Sequence, residues 1–202
     1  MKKQTEGRKI TVYSLKGGQG KTSVSVNLAL EEDYGIITND YYSPIELVLP
    51  EERYLKLRPE DDLPSAEDLN GARIIFDCGG YLDSRVIPAL EMSSWVIIPI
   101  AEYDTLCGKG LIDTIREVSP YNNNIIILLN KVGGDMVGAI KKELERNQYL
   151  YPIFEIKPSK VMQQIFTKRK SISEITKEEI LNKRQFQLVE AQFQKLINFL
   201  NK

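Results

Sequence analysis

The sequence predicts a doubly wound α/β fold, in which a mostly parallel β-sheet carries helices on both faces. Uninterrupted apolar runs at residues 74–76, 95–98 and 125–129 suit central strands of such a sheet, because those strands are buried on both sides. Segments with apolar residues on one helical face lie between and after these runs, so strand and helix alternate along the chain. In sheets of this kind a ligand lies beyond the carboxyl ends of the strands.

The first predicted strand covers residues 10–15, and a glycine-rich loop with the sequence Lys-Gly-Gly-Gln-Gly-Lys-Thr-Ser follows it. The glycines permit positive φ and a close approach of the backbone to a ligand. Successive N–H groups of the loop, together with the N-terminus of the next helix, suit a bound anion. We therefore expect the loop to hold the phosphates of a nucleotide through Gly17, Gly18, Gln19, Gly20, Lys21, Thr22 and Ser23.

The polar side chains of this loop have separate predicted roles. We expect Lys21 beside the β- and γ-phosphates, the Thr22 hydroxyl on Mg²⁺, and the Ser23 hydroxyl near the α-phosphate. The loop also carries a second lysine, Lys16, which the usual pattern G-x-x-x-x-G-K-[ST] does not require, and Leu15 stands where that pattern has its first glycine. Lys16 is either a solvated loop residue or a group with a task of its own.

The next predicted elements are a helix of about three turns and a short strand at residues 35–39 that ends in Asp40. An aspartate in this position either caps a turn or contributes to a site at the edge of the sheet. Residues 49–70 are the least regular part of the chain, because they contain three prolines and many polar residues. A short edge strand is predicted within them, at residues 54–57.

The apolar strand at residues 74–76 ends in Asp77, and Cys78, Gly79 and Gly80 follow. An apolar strand that ends in aspartate is the Walker B pattern, whose carboxylate reaches Mg²⁺ through a water molecule. The two glycines would let the segment move with the γ-phosphate. Together with the glycine-rich loop upstream, this pattern makes Thr22 and Asp77 the predicted metal ligands.

The strand at residues 125–129 ends in Asn130 and Lys131. Guanine-specific GTPases have the pattern N-K-x-D at this place, and its aspartate pairs with guanine. Here the fourth position is Gly133, so the sequence favours ATP over GTP. Asn130 alternatively only caps a turn. In the last segment, the apolar residues share one face of a predicted helix: Phe186, Val189, Phe193, Leu196 and Leu200.

The composition is that of an ordinary globular protein, and 202 residues suit one domain that spans residues 1–202. We expect neither a signal peptide nor a membrane span. No histidine occurs, which excludes histidine general-base chemistry and disfavours transition-metal sites. The two cysteines, Cys78 and Cys107, lie far apart, which fits a reducing cytoplasm and argues against a zinc site or an iron–sulfur cluster.

The net charge of −1 gives no global signal for nucleic acid, but the charges are unevenly distributed. No acidic residue occurs from position 156 to 173, and this basic segment carries Lys157, Lys160, Lys168, Arg169 and Lys170. A local basic patch can bind the phosphate backbone of DNA even on a neutral protein. The alternative is a solvated helix face, which runs of charge usually form.

These motifs resemble those of the ParA/MinD family of dimerising ATPases. The loop from position 16 to 23 matches the deviant Walker A box K-G-G-x-G-K-[ST] of that family, and Asp40, the run at residues 74–80 and the strand ending in Pro99-Ile100 follow in family order. The length and the short spacing from Asp40 to Asp77 are similar to those of compact plasmid-partition ATPases of the ParF type.

The resemblance implies a P-loop NTPase fold of the deviant Walker A type and roles for particular residues. Lys16 would cross a dimer interface and contact the nucleotide of the partner subunit. Asp40 would orient the attacking water, and Lys16, Lys21 and Asp40 together would be the catalytic residues. Asn130 would touch adenine. The chain departs from the family pattern D-x-D-P around Asp40, where Thr38 replaces the first aspartate and Tyr41 replaces the proline.

The function implied by the resemblance is that of a cytoplasmic partition ATPase. ATP and Mg²⁺ would close two subunits into a sandwich dimer, which binds non-specific DNA and so becomes associated with the nucleoid. A ParB-like centromere-binding protein would stimulate slow hydrolysis, and the cycle would segregate or position plasmid or chromosomal DNA.

Three alternatives share the same scaffold. A MinD-like membrane-cycling ATPase would need a detachable amphipathic tail, and residues 192–200 are amphipathic. Because no linker precedes them, we expect them to pack on the domain, without stable membrane association. A metal-chaperone or cofactor-maturation ATPase would need ligand clusters that the sequence does not offer. An amide-forming ligase would usually lack Lys16.

Overall fold

The computed structural model describes residues 7–80, 83–101, 105–181 and 183–202, and for residues 105–108 and 135 it describes only the backbone. The described strands are β1 (Lys9–Val12), β2 (Gly35–Thr38), β3 (Tyr54–Lys56), β4 (Ile74–Asp77), β5 (Trp95–Ile100), β6 (Ile125–Asn130) and β7 (Ile153–Ile156). The described helices are α1 (Lys21–Glu32), α2 (Val86–Met92), α3 (Thr105–Val118), α4 (Gly134–Arg146), α5 (Val161–Lys168), α6 (Ile172–Glu178) and α7 (Lys183–Leu200).

The strands form one sheet in the order β3-β2-β4-β1-β5-β6-β7, and every described pairing is parallel. The doubly wound α/β fold predicted from the sequence is therefore confirmed. Strand β1 lies in the centre, and the chain builds outward from it in both directions. Because all strands run the same way, the segments that follow β1, β2, β4 and β6 emerge at one edge of the sheet, where the predicted nucleotide site was expected.

Each central strand divides its side chains between two apolar cores, because successive residues of a strand point to opposite faces. Ile75 of β4 and Ile97 of β5 lie in the core beneath α1, α5, α6 and α7. Phe76 and Ile98, their direct neighbours, lie in the core beneath α2, α3 and α4. Burial on both faces explains why these strands appear in the sequence as continuous apolar runs.

The last helix packs on the body of the protein, as predicted. Its apolar residues are buried in the core shared with α1: Phe186, Val189, Phe193, Leu196, Ile197 and Leu200. The amphipathic stretch that a membrane-cycling ATPase would release is therefore used for packing. Within the described ranges, no helix is both long enough and apolar enough to cross a membrane.

Candidate functional site

The glycine-rich loop joins β1 to α1 and needs glycine at defined positions. Gly18 and Gly20 have φ values of 75° and 81°, in the left-handed region that side chains disfavour. A Cβ atom on Gly20 would lie 2.2 Å from Nδ2 of Asn130, whereas one on Gly17 would have no neighbour within 4 Å. Gly20 is also the N-cap of α1, so the loop leads directly into a helix N-terminus.

Hydrogen bonds to the carboxyl ends of two neighbouring strands brace this loop. The Gln19 Oε1 accepts a hydrogen bond of 2.7 Å from the backbone N–H of Ala101, directly after β5. Its Nε2 donates to the carbonyl of Gly17 at 3.1 Å. Asn130 at the end of β6 donates from Nδ2 to the carbonyl of Gln19, also at 3.1 Å. The loop is thus tied to β5 and β6, a contact set that sequence spacing does not reveal.

Asn130, which the resemblance assigns to adenine, lies behind the glycine-rich loop in this structure. Asn130 is 0% exposed and lies under Gly20, outside the residues that line the cleft described below. Its Oδ1 is buried without a hydrogen-bond partner. In this conformation Asn130 supports the loop, because its side-chain NH₂ group donates to the Gln19 carbonyl. Its contact with adenine stays a prediction.

A cleft of about 540 Å³ opens between the glycine-rich loop and the carboxyl ends of β2, β4 and β6. Its lining contains most of the residues predicted to bind nucleotide and metal: Gly17, Gly18, Gln19, Gly20, Lys21, Thr22, Ser23, Asp40 and Asp77. The segment after β4 and Lys131 complete it. Lys16 is exposed at the start of the loop and does not line this cleft.

Lys21 lies inside the cleft and is partly removed from water. Its Nζ donates to the carbonyls of Ser14 and Lys16, at 3.3 and 3.4 Å. Burial lowers the pKa of the Lys21 ammonium, and the negative charges of Asp77 and Asp40 offset this effect only in part. The negative charge of a bound polyphosphate would compensate the positive charge of this ammonium group more fully.

Asp77 is a buried carboxylate with one oxygen unused. Its Oδ1 accepts a hydrogen bond of 3.0 Å from Ser25 Oγ on α1, and its Oδ2 has no partner. Burial raises the pKa of Asp77 to about 6, although hydrogen bonding from Thr22 and Ser25 and the charge of Lys21 favour the ionised form. An unpartnered carboxylate oxygen near a threonine hydroxyl suits Mg²⁺, which prefers oxygen ligands. Ser25 was not predicted from the sequence, because a serine inside a helix belongs to no motif.

Asp40 has both of the roles that were open from the sequence. Its Oδ1 accepts from the N–H of Tyr42 at 3.2 Å, which caps the turn, and its side chain also lines the cleft. Thr38, which departs from the family pattern, donates from Oγ1 to the carbonyl of Asp77 at 2.8 Å and accepts from the N–H of Asp40. The threonine therefore joins the segment that carries Asp40 to the end of β4.

A second groove, of about 310 Å³, adjoins the cleft, and Lys131 lines both. Its other lining residues come from the β7–α5 connection, from α5 and from α7: Pro158, Ser159, Lys160, Gln163 and Gln185. Lys131 has a φ of 66° and donates its N–H to the Ile156 carbonyl at 2.7 Å. The groove was not expected from the sequence, because its two sides are distant along the chain.

The residues of the basic segment lie at the two ends of α5. Lys157 and Lys160 lie before the helix at the carboxyl edge of the sheet, whereas Lys168, Arg169 and Lys170 lie at its other end. The helix separates the two groups by about 12 Å along its axis. Lys170 also pairs with Glu178. The contact of this segment with DNA stays a prediction.

The structure gives no support to a redox or metal-cluster function. Cys78 is buried, and burial raises the pKa of its thiol above the usual range. The side chain of Cys107 lies outside the described residues. In the part of the chain that is described, no group of three or more acidic or cysteine side chains is arranged to hold a metal ion.

Solved structures of other proteins share this fold. Apo McdA from Cyanothece aligns with a TM-score of 0.61 and 19% identity, over 92% of this chain and 99% of McdA. The septum site-determining protein MinD of Pyrococcus horikoshii, complexed with Mg-ADP, gives 0.63 and 18% over 96% and 98%. A ParA family ATPase from Chlorobium tepidum gives 0.61 and 13% over 92% and 98%.

Neither a protein-family model nor a curated protein sequence matches the chain. Identities of 13–19% establish the fold and leave the ParF-type subgroup undecided. The parallel seven-stranded sheet with helices on both faces agrees with the fold of these neighbours. The chain has the fold shared by the ParA and MinD ATPases, which confirms at the level of the fold the resemblance predicted from its motifs.

Proposed function

We propose that the chain is a Mg²⁺-dependent ATPase of the ParA/MinD kind. The observation that carries this proposal is the meeting of Lys21, Thr22 and the unpartnered Asp77 Oδ2 in one cleft at the carboxyl ends of the strands. The Lys21 ammonium group lies among the backbone N–H groups of the loop, and the Thr22 hydroxyl and the Asp77 carboxylate beside it suit Mg²⁺. Together these groups fit a triphosphate with its bound Mg²⁺. In solved structures, MinD holds Mg-ADP and McdA holds ATP.

The residues divide the work of hydrolysis. Loop N–H groups and Lys21 hold the phosphates, and Asp40 orients the attacking water from across the cleft. Thr22 and Asp77 would hold Mg²⁺, which when bound neutralises charge that develops on the phosphate oxygens. The proposed role of Asp40 is to position the water and to stabilise the transition state by its charge.

The groove beside Lys131 is where we place the nucleoside. It continues from the phosphate cleft through a shared residue, and polar groups of Ser159, Gln163 and Gln185 line it. Gly133 in place of an aspartate favours adenine over guanine. The Oδ1 of Asn130, buried and without a partner, becomes available to a base if the loop moves on binding.

Lys16 is proposed to act on the nucleotide of a second subunit. Its side chain is exposed and does not line the cleft of its own chain, which supports a role across an interface. Such a lysine would make dimerisation depend on nucleotide, because it would reach the phosphates of the other subunit only when two clefts face each other.

The cellular role that we propose is segregation or positioning of DNA in the cytoplasm. The nucleotide-bound dimer would associate with the nucleoid through non-specific DNA contacts, and a ParB-like partner would accelerate hydrolysis. The basic residues at the two ends of α5 are the proposed DNA contacts.

Size-exclusion chromatography with light scattering tests this proposal. With a non-hydrolysable ATP analogue and Mg²⁺, wild type should dimerise, and Lys16→Ala should bind the analogue and stay monomeric. Lys142→Ala, which removes an exposed lysine from α4, is the matched control and should dimerise. Equal behaviour of wild type and Lys16→Ala would refute the role of Lys16, and absence of analogue binding would refute the ATPase itself.

DNA binding is tested separately, in the nucleotide-bound state. Two double variants are compared: Lys157 and Lys160 are replaced by alanine in one, and Lys168 and Arg169 in the other. Each variant should co-sediment less with DNA than wild type does, and its binding should depend less on salt. If neither pair changes binding, the basic segment is a solvated surface.

A further inference from the structure

A polar bridge links the two segments that approach the cleft from β2 and β4. Asn39 lies directly before Asp40, and its Oδ1 accepts a hydrogen bond of 2.6 Å from the N–H of Gly79. The Asn39 Nδ2 donates to Oδ2 of Asp83 at 3.0 Å. Arg85 then holds Asp83 from the other side, with Nε on Oδ1 at 2.8 Å and Nη2 on Oδ2 at 2.6 Å.

The bridge is anchored to a third segment. The Arg85 Nη1 donates to the carbonyls of Arg58 and Asp61, at 2.5 and 3.1 Å, within the irregular region that follows β3. The Nε and Nη2 atoms of the guanidinium group therefore bind the Asp83 carboxylate as a pair, and Nη1 binds backbone carbonyls. Such bidentate contacts fix geometry more strongly than a single lysine contact does.

The bridge is shielded from water. The side chains of Asp83 and Arg85 are 7% and 12% exposed. Hydrogen bonding from Arg85 holds the pKa of Asp83 at about 2, so the carboxylate is ionised at neutral pH. A buried ion pair gives little net stability, but removing one partner is costly because a charge is left uncompensated. The main effect of such a pair is to fix the positions of the segments that it joins.

We infer that Asn39, Asp83 and Arg85 are positioning residues that hold Asp40 and the Gly79–Gly80 segment in one arrangement, and thereby set the rate of ATP hydrolysis rather than the affinity for ATP. This inference rests on the proposed ATPase function. None of the three residues lines the cleft, so each acts through a neighbour that does. These neighbours are Asp40, which follows Asn39 in the sequence, and Gly79, whose N–H donates a hydrogen bond to the Asn39 side chain.

The geometry explains why both segments must be held together. A Cβ on Gly80 would lie 2.9 Å from the Leu15 carbonyl and 3.4 Å from Lys21 Nζ, so this segment lies against the phosphate-binding loop. A shift of Gly79 and Gly80 would therefore alter the distance between Asp40 and the place of the terminal phosphate. Displacements of about 1 Å in a reacting geometry can cost about a hundredfold in rate.

An exchange of charge between two of these residues gives a sharp test. Asn39→Asp places two carboxylates at the present 3.0 Å contact, while its oxygen still accepts from Gly79. Adding Asp83→Asn restores a donor opposite the new carboxylate but removes the oxygen that accepts from Arg85 Nη2. Steady-state turnover with saturating Mg-ATP gives kcat, titration with a fluorescent ATP analogue gives Kd, and circular dichroism reports folding.

We expect Asn39→Asp to lower kcat by about tenfold to a hundredfold with less than about a threefold change in Kd. The double variant should recover part of that loss, because the contact between like charges is removed while the fork of Arg85 is weakened. Arg85→Lys keeps the charge but loses the fork, and should lower kcat in the same way. Arg146→Lys, in the exposed pair with Glu143 at the end of α4, is the matched control and should leave kcat unchanged.

The outcomes separate this inference from the function on which it rests. If wild type turns over ATP and the kcat values of Asn39→Asp and Arg85→Lys equal that of wild type, the bridge has no positioning role. If the loss of kcat in the folded double variant equals the product of the fold losses in Asn39→Asp and Asp83→Asn measured singly, the inference is also overturned, since independent damage predicts additive losses in free energy. If wild type shows no turnover above Lys21→Ala, the proposed function itself fails.

Discussion

The cleft and the helical layer of α5, α6 and α7 are built on opposite principles. The cleft keeps the charges of Lys21 and Asp77 away from water, and their pKa values shift in the direction that disfavours the charged forms. The helical layer instead buries apolar side chains such as Phe186 and Phe193. Its helix α6 begins with a complete capping box, in which Ser171 and Glu174 each accept from the other's N–H.

This difference teaches where the stability of the protein comes from. Burial of apolar surface stabilises the fold at the helical layer, whereas desolvated charges and positive φ values weaken it at the cleft. A ligand with phosphates and Mg²⁺ would remove the electrostatic cost at the cleft. Substitutions should therefore affect stability in one region and ligand binding in the other.

The largest effect on stability is expected in the helical layer. Phe193→Ala removes a side chain that is 1% exposed and should lower the free energy of unfolding by about 3–5 kcal/mol. Leu188→Ala on the same helix, where the leucine is 45% exposed, should cost less than about 1 kcal/mol. Urea unfolding measures both, and equal losses would contradict the proposed division.

The largest effect on ligand binding is expected at Lys21. Lys21→Ala should weaken binding of Mg-ATP by about a hundredfold, because charged hydrogen bonds to the phosphates are lost. The ligand-free protein should not become less stable, because burial disfavours the ammonium group in the folded state. Isothermal titration calorimetry and thermal unfolding measure the two quantities. A large loss of stability in the ligand-free variant would contradict the comparison.

Two glycines of the loop should differ in what alanine does to them. Gly20→Ala should lower the stability of the ligand-free protein by about 2–3 kcal/mol, because φ is 81° and the new Cβ would overlap Asn130. Gly17→Ala should change stability little, since open space surrounds that position. Thermal unfolding without nucleotide is the measurement, and similar melting temperatures would show that Asn130 does not brace the loop.

The smallest expected effect is a gain in the stability of the ligand-free protein. Asp77→Asn should stabilise the ligand-free protein by about 1–2 kcal/mol at pH 7.5, because the neutral amide avoids the cost of a buried charge. The pKa of Asp77 is about 6 in the folded protein, against an ordinary 3.8. The wild-type carboxylate therefore weakens the fold above pH 6, and this penalty fades as pH falls towards 4.

Denaturant unfolding at pH 7.5 and pH 4 checks this sign, with the exposed Asp113→Asn as control. The gain of Asp77→Asn should disappear at pH 4, and the same protonation should weaken Mg²⁺-dependent nucleotide binding by wild type below about pH 6. A variant that is less stable than wild type at pH 7.5 would show that the carboxylate holds the fold together.

Local patterns made much of the fold predictable. The strands were visible because burial on both faces demands continuous apolar runs, and the phosphate-binding loop because its glycines need conformations that other residues disfavour. Asp77 was visible because it ends such a strand. The trans role of Lys16, the DNA contacts and the extent of the domain stay predictions.

By itself, the sequence determined the class of fold, the loop that suits phosphate and the residue types around it, since each depends on spacing within one element. Tertiary structure alone decided that Gln19 meets Ala101, 82 positions away, and that Asn130 supports the loop from 111 positions away. It also divided the basic segment and joined Asn39 to Asp83. These contacts arise where neighbouring strands bring distant segments to one edge of the sheet, and no local periodicity encodes which side chains meet there.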